Sequence, residues 1–137
     1  MSELRDEGKV RHIGLTEVSV DELRQAQKVV RIASVQNRYN LTYRGSDAVL
    51  EACEGDGLAF IPWFPLAAGP LARPGGPVDE IASRHGATAG QAVLAWLPWR
   101  SPVMLPIPGT SSVDHLDKNV AAASRELTDE EYAELTG

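Results

Sequence analysis

Four short apolar segments, "VRHIGL" (10–15), "IASVQNRYN" (32–40), "LAFIPWF" (58–64) and "PVML" (102–105), are each followed by a stretch patterned as a helix. Strand, helix, strand, helix, repeated in one chain, is the signature of parallel βαβ units, because parallel neighbours need a long crossover and a helix is the usual one. The segments carry few charges and little strict alternation, as expected where both faces of a parallel sheet are covered. Helix starts are marked by capping boxes at Ser19/Glu22, Thr88/Gln91 and Thr128/Glu131 and by a cap at Ser112. The predicted helices run from about Val20 to Val29, Ala48 to Glu54 and Val78 to His85, with others opening at Thr88, Ser112 and Thr128. Gly55, Gly57 and Gly86 supply stops. "PLAAGPLARPGGP" after the third strand is the longest irregular stretch and the best candidate for a flap, over residues 66–77.

At 137 residues the expected organisation is one domain over 1–137, and 43% apolar with 23% charged residues is ordinary for a globular chain. A net charge of −6 provides no basic stripe for nucleic acid and no polybasic signal for a membrane. The single cysteine, Cys53, excludes an intrachain disulfide. No signal peptide or transmembrane run is visible, so the expected location is cytoplasmic. No metal-ligand spacing is evident either.

Ligands of parallel α/β sheets bind at the carboxyl ends of the strands. That rule selects Thr16 and Glu17, Gln36 and Asn37, Trp63 to Leu66, and Pro106 to Ser112 as one face. "LPIPGTSSVDHLDKN" (105–119) is the strongest local signal there. Gly109 admits a close backbone approach, Thr110 and Ser111 add hydroxyls, and the helix that follows aims its positive end at the turn while carrying His115 and Lys118. This equipment can grip a phosphate, and it can equally be a plain helix cap built on Ser112. Trp63, between Pro62 and Pro65, offers a flat surface for a nicotinamide or flavin ring, or simply packs the core. Gln36 can hold a carboxamide or satisfy a buried carbonyl. Polar or aromatic residues at all four strand ends tilt the balance toward a ligand.

"GKVRHIGLTEVS", "ASVQNRYN", "AFIPWFPLAAG" and "LPIPGTSSVDHLDKN", in this order and with "LTDEE" near the end, resemble successive signature blocks of the aldo-keto reductase family. The resemblance covers nearly the whole chain. It implies four units matching the fifth to eighth strands of a (β/α)8 TIM barrel, an NADP(H) cofactor, and reduction of aldehydes or ketones by hydride transfer. By position it implies that Thr16 and Glu17 stand where the family holds the nicotinamide carboxamide, with Gln36 helping. Trp63 matches the aromatic stacked on the nicotinamide, and Phe64, Pro65, Leu66 and Gly69 match the segment along the pyrophosphate. Gly109, Thr110, Ser111 and His115 match the site of the adenosine 2′-phosphate; Lys118 and Asn119 match the adenine contacts.

The chain departs from the family pattern at several of these positions. Glu17 replaces an asparagine and brings a negative charge beside the nicotinamide, His115 replaces a frequent arginine, and Lys118 replaces a common acid. Pro98 stands where an aliphatic residue is usual and is expected to end its helix early. The family's catalytic tetrad of Asp, Tyr, Lys and His lies on the first four units, so no catalytic residue is assigned here. Tyr39, Tyr43, Lys9 and His12 are not promoted to that role. Four strands leave two open sheet edges and inner side chains facing water. A homodimer that closes the barrel by pairing "PVML" of each copy with "VRHIGL" of the other is therefore expected, the rival being a separate chain carrying the first half. The alternative reading is an inactive remnant or a nucleotide-binding assembly module.

Overall fold

The computed structural model describes residues 1–66 and 75–137. Its elements in order are α1 (Ser2–Asp6), β1 (Gly14–Thr16), α2 (Val20–Gln27), β2 (Ser34–Arg38), α3 (Asp47–Asp56), β3 (Ala59–Trp63), α4 (Pro77–Arg84), α5 (Ala89–Arg100), α6 (Val113–Ala121), a 3₁₀ turn (Ala122–Ser124) and α7 (Asp129–Thr136). β1, β2 and β3 form a parallel sheet in that order, with Thr16 beside Gln36 and Arg38 beside Trp63. The chain is thus a partial, unclosed parallel sheet with its crossover helices, half of a (β/α)8 barrel. Among the described residues no helix is long and apolar enough to cross a membrane.

The helix starts follow the local chemistry read from the sequence. All three capping boxes form, and the Ser112 hydroxyl accepts from His115 N–H. Gly57, at φ +65°, closes α3 in the left-handed conformation. Gly55 lies inside α3 and stops nothing.

The strands are shorter than expected, and the fourth is reduced to one parallel bridge, Met104 beside Phe60. Phe60 N–H donates to Val103 O and Leu105 N–H to Phe60 O, both at 2.8 Å. The next residue of β3 facing that edge is Pro62, which has no N–H to continue the ladder, and Pro102, Pro106 and Pro108 thin out the donors on the other side. Pro98 does not end its helix: α5 runs to Arg100 with Pro98 inside it. The proline lies only two residues from the end, beyond the fully buried Trp96 and Leu97, and Ser101 N–H still bonds Leu97 O at 3.2 Å.

Burial shows which face of the sheet is covered. Val35 and Asn37 of β2, Tyr39 just beyond it, and Phe60 and Pro62 of β3 are buried against the helices, whereas Ser34, Gln36, Arg38, Ala59, Ile61 and Trp63 alternate with them and are only half-buried. The two-sided cover inferred from weak hydrophobic alternation is therefore one-sided within this chain, and the barrel-lining face is open. Behind the sheet, Trp96 of α5 stacks between Tyr39, the residue after β2, at 6.3 Å and Tyr132 of α7 at 6.0 Å, and Phe60 meets Tyr39 edge-on at 5.7 Å. These rings weld the sheet to its helical layer.

Candidate functional site at the carboxyl ends of the strands

β1 and β3 are each followed directly by a residue with left-handed backbone, Glu17 at φ +51° and Phe64 at φ +60°. Non-glycine residues adopt this conformation rarely and at a cost, and such strain collects where a structure holds side chains for a purpose. The Glu17 side chain supplies compensation: its Oε1 accepts Arg38 N–H at 2.7 Å and the Trp63 indole Nε1–H at 2.5 Å. Phe64 O is held by Asn40 Nδ2 at 3.1 Å, while Asn40 Oδ1 accepts from Thr42 and Tyr43. One carboxylate and one buried amide thus fix the shape of the rim.

Thr16, Gln36 and Trp63 lie on the open face of this rim. Thr16 Oγ1 donates to Gln36 O at 3.0 Å, which leaves the threonine oxygen's lone pairs available. The Gln36 side chain is half-buried and has no hydrogen-bond partner among the described residues. Its amide is therefore free to donate to and accept from a ligand on the open face. Asn37, which the sequence placed on the same face, is turned the other way: its side chain bonds both Val18 N–H and Val18 O behind the sheet, at 3.1 and 2.8 Å. Strand alternation forces neighbours to opposite faces, so only one of the two could serve.

Arg38 was missed in the sequence. Its guanidinium lies 4.4 Å from the Tyr43 ring centroid, 5.7 Å from Phe64 and 5.9 Å from Trp63, and its Nε is shut from solvent without a hydrogen-bond partner. The available signal was its position, two residues after Gln36 and therefore on the same face of β2.

The second cluster lies where the fourth segment enters α6. Gly109, Thr110, Ser111 and His115 are exposed, and the space around a Cβ at Gly109 is empty. Ser112 N–H donates to Thr110 Oγ1 at 3.1 Å, so the turn is partly self-satisfied. Lys118 Nζ is 2.7 Å from Asp114 Oδ2, an i,i+4 pair that holds the Asp114 carboxyl below its usual range through a hydrogen bond and charge. Lys118 is therefore shared with an acid of its own helix. Asn119 is half-buried, and its neighbour's carbonyl, Lys118 O, accepts from Gln91 Nε2 at 3.0 Å. Pro65 is buried and Leu66 half-buried beside the rim. Gly69 and most of the expected flap fall on residues 67–74, outside the described residues. No group of three or more potential metal-ligating side chains occurs among the described residues.

An open parallel sheet with its crossover helices, with polar, aromatic and helix-start groups gathered at the strand ends, is the architecture of half a (β/α)8 barrel. Residues 1–137 match the Aldo/keto reductase family, and the chain belongs to it. An uncharacterized oxidoreductase of Schizosaccharomyces pombe is 49% identical over 132 residues, covering 96% of this chain and 43% of that protein. The pyridoxine 4-dehydrogenase of Escherichia coli is 42% identical over 137 residues, covering 100% of this chain and 48% of its own. The chain thus spans about half the length of the curated relatives it matches. A crystal structure of an aldo-keto reductase from Klebsiella pneumoniae in complex with NADPH superimposes with a TM-score of 0.85 at 33% identity, covering 98% of this chain and 50% of that one.

Proposed function

We propose that this chain is the NADP(H)-binding half of an aldo-keto reductase, carrying the fifth to eighth strands of the barrel as one domain over residues 1–137. The observation that carries this reading is the unpartnered Gln36 amide on the open rim, between Thr16 and the Trp63 ring. That donor set fits a nicotinamide: an amide and a hydroxyl for the carboxamide, and an aromatic face for the ring. When bound, NADPH supplies the hydride that reduces an aldehyde or ketone. Trp63 then orients the ring, Thr16 and Gln36 orient its carboxamide, and Phe64, Pro65 and Leu66 line the way to the pyrophosphate. Glu17 acts differently from the family's amide at its position, because its Oε1 is committed to Trp63 and Arg38. Gly109, Thr110, Ser111 and His115 at the start of α6 take the 2′-phosphate, and Lys118 and Asn119 border the adenine. The NADPH complex of the Klebsiella relative supports the cofactor, and the oxidoreductase and dehydrogenase names of the curated relatives support the reaction class.

The proton for the carbonyl oxygen comes from outside these residues. Tyr39 is buried and donates to Asp47 at 2.7 Å, and burial first, then that bond, push its hydroxyl far above the ordinary tyrosine range. Tyr43 borders the rim under the Arg38 guanidinium. Lys9 pairs with Glu7, Lys118 with Asp114, and Lys28 caps α2, so none of the three lysines is bonded to a tyrosine among the described residues. Without a general acid and its electrostatic neighbours, hydride transfer loses several powers of ten in rate.

The open sheet calls for a completing element, and a second copy related by a twofold axis is the assembly we favour over a separate first-half chain. The test is a titration of the 137-residue chain with NADPH followed by fluorescence, then NADPH consumption with a nitrobenzaldehyde. We expect binding without turnover until the first half of a barrel is supplied. Turnover by the chain alone overturns the assignment of the general acid, and absence of binding favours the remnant.

A further inference from the structure

Two opposite charges flank Trp63. Glu17 Oε1 is tethered to the ring's own N–H at 2.5 Å and to Arg38 N–H at 2.7 Å, while the Arg38 guanidinium stands 5.9 Å from the ring centroid. Neither side chain is neutralised by the other, since they form no ion pair within 4.0 Å, and neither finds another ionic partner among the described residues. The carboxylate is also held in place before any ligand arrives, by the two N–H donors and by the left-handed backbone of Glu17.

We propose that this pair sets the preference of the site for the oxidised over the reduced dinucleotide, Glu17 favouring the oxidised form and Arg38 opposing it. The inference rests on reading Trp63 as the surface on which the nicotinamide stacks. The two redox forms have nearly the same shape there and differ by one positive charge on the ring. Stacking alone barely separates them. A fixed charge at the ring edge does, because it acts within one screening length, about 8 Å at physiological salt. It also needs no reorganisation as the cofactor exchanges, the condition under which a preorganised charge is most effective. Glu17 is the more firmly directed of the two, through a hydrogen bond to the ring itself, so its sign prevails. A site of this kind holds the oxidised cofactor in place and shifts the bound equilibrium toward NADP+ and the alcohol, the side on which the carbonyl has been reduced.

The experiment measures Kd for NADP+ and for NADPH separately, by fluorescence and calorimetry, on the full protein in the assembly that closes its barrel. Glu17→Gln keeps an oxygen to accept both N–H groups and removes only the charge; Arg38→Gln removes the opposing charge. For exposed charges at this range, the ratio of Kd for NADPH to Kd for NADP+ should fall roughly three- to tenfold in Glu17→Gln and rise by a similar factor in Arg38→Gln. In the unmodified protein the same ratio should move toward unity as salt is raised, whereas the 2′-phosphate contributes equally to both forms and cancels. Parallel weakening of both forms in the variants, or a ratio insensitive to salt, overturns the proposal while leaving cofactor binding intact. Failure of the unmodified assembly to bind either form removes the reading of Trp63 and this inference with it. Should Glu17→Gln fail to fold, the sign of the Arg38→Gln shift and the salt series decide.

Discussion

Asn37 shows how a residue can sit beside a binding site and serve only its shape. It is 5% exposed, and its amide answers both the N–H and the C=O of Val18, with Ser46 Oγ at 3.4 Å as a third neighbour. These bonds hold the bend after β1 that carries Glu17. Asn37→Ala strands two backbone groups, and we expect it to cost about 2–3 kcal/mol, read as a lower urea midpoint with an unchanged slope. A change below a few tenths would show that water replaces the amide without loss. Gly14 makes a second case, because a Cβ there would meet Ser34 Oγ at 2.6 Å. Gly14→Ala should destabilise by about 1–3 kcal/mol, and adding Ser34→Ala should recover much of that loss, since the clashing atom is the hydroxyl. Additive costs in the double variant would point instead to Ser34 O, 3.3 Å away, as the obstacle. At this scale the residue types at the rim were legible in the sequence, but their pairings were not. Nothing in "LTEVS" or "QNRYN" says that Glu17 reaches the indole of Trp63, a contact across 46 positions that exists only once the strands are in register.

The elements themselves were legible wherever a local rule operates. Capping boxes depend on four consecutive residues and all three form, whereas the extent of the fourth strand depends on what faces it, and there Pro62 decides. Pro62→Val restores an N–H aimed at the edge occupied by Leu105, and we expect the ladder beyond the Met104 bridge to lengthen. Amide hydrogen exchange should then slow at Ile107, whose N–H has no backbone partner here. Unchanged exchange would place the limit in Pro106 and Pro108 instead. The misjudged end of α5 follows the same logic: proline chemistry was read correctly, but the burial of Ala92 to Leu97 that holds the helix together is a tertiary fact. At the far side, α7 is docked on α4 by Glu131, whose carboxylate accepts Thr128 N–H at 3.0 Å and lies 2.8 Å from His85 Nε2, with Arg84 at 3.9 Å. The Thr128 bond first, then His85, hold its pKa below the usual glutamate range. A depressed carboxylate pKa contributes stability that is complete above the unfolded value and is lost as pH falls through the folded one. The thermal midpoint should therefore fall through the acid range below about pH 4.5, and Glu131→Gln should lower the neutral plateau while shrinking that fall. An acid limb of unchanged size in the variant would remove Glu131 from the account.

For the whole molecule the open question is how the two edges of the half barrel are closed, and the hydrogen-bond directions say what kind of strand each edge can accept. On β1, Ile13 O and Glu17 N–H face β2, so by alternation Gly14 and Thr16 turn both N–H and C=O outward. On the opposite edge Val103 and Leu105 face β3, which leaves Pro102, Met104 and Pro106 outward. Two of these are prolines, and Met104 N–H already bonds Ser101 O at 3.2 Å, so this edge offers carbonyls and no free donor. The edges are complementary in one direction only: β1 can donate to the fourth segment, which cannot donate back. A twofold pair of chains joined in this way would gain about half the bonds of a full parallel ladder at each seam. The rest of its stability must come from burying the open inner face, where Leu105 is 56% and Ile107 44% exposed. We therefore expect sedimentation at micromolar concentration to show a species of about twice the 14.8 kDa chain mass, with an equilibrium that tightens on moderate addition of a kosmotropic salt, as apolar closure requires. Leu105→Glu should shift it to monomer, while Met104→Leu, on the covered side of the same segment, should not. A compact monomer with its inner face exposed would refute the pairing, and the donor-poor edge would then have to be met by a first-half barrel that brings its own N–H groups.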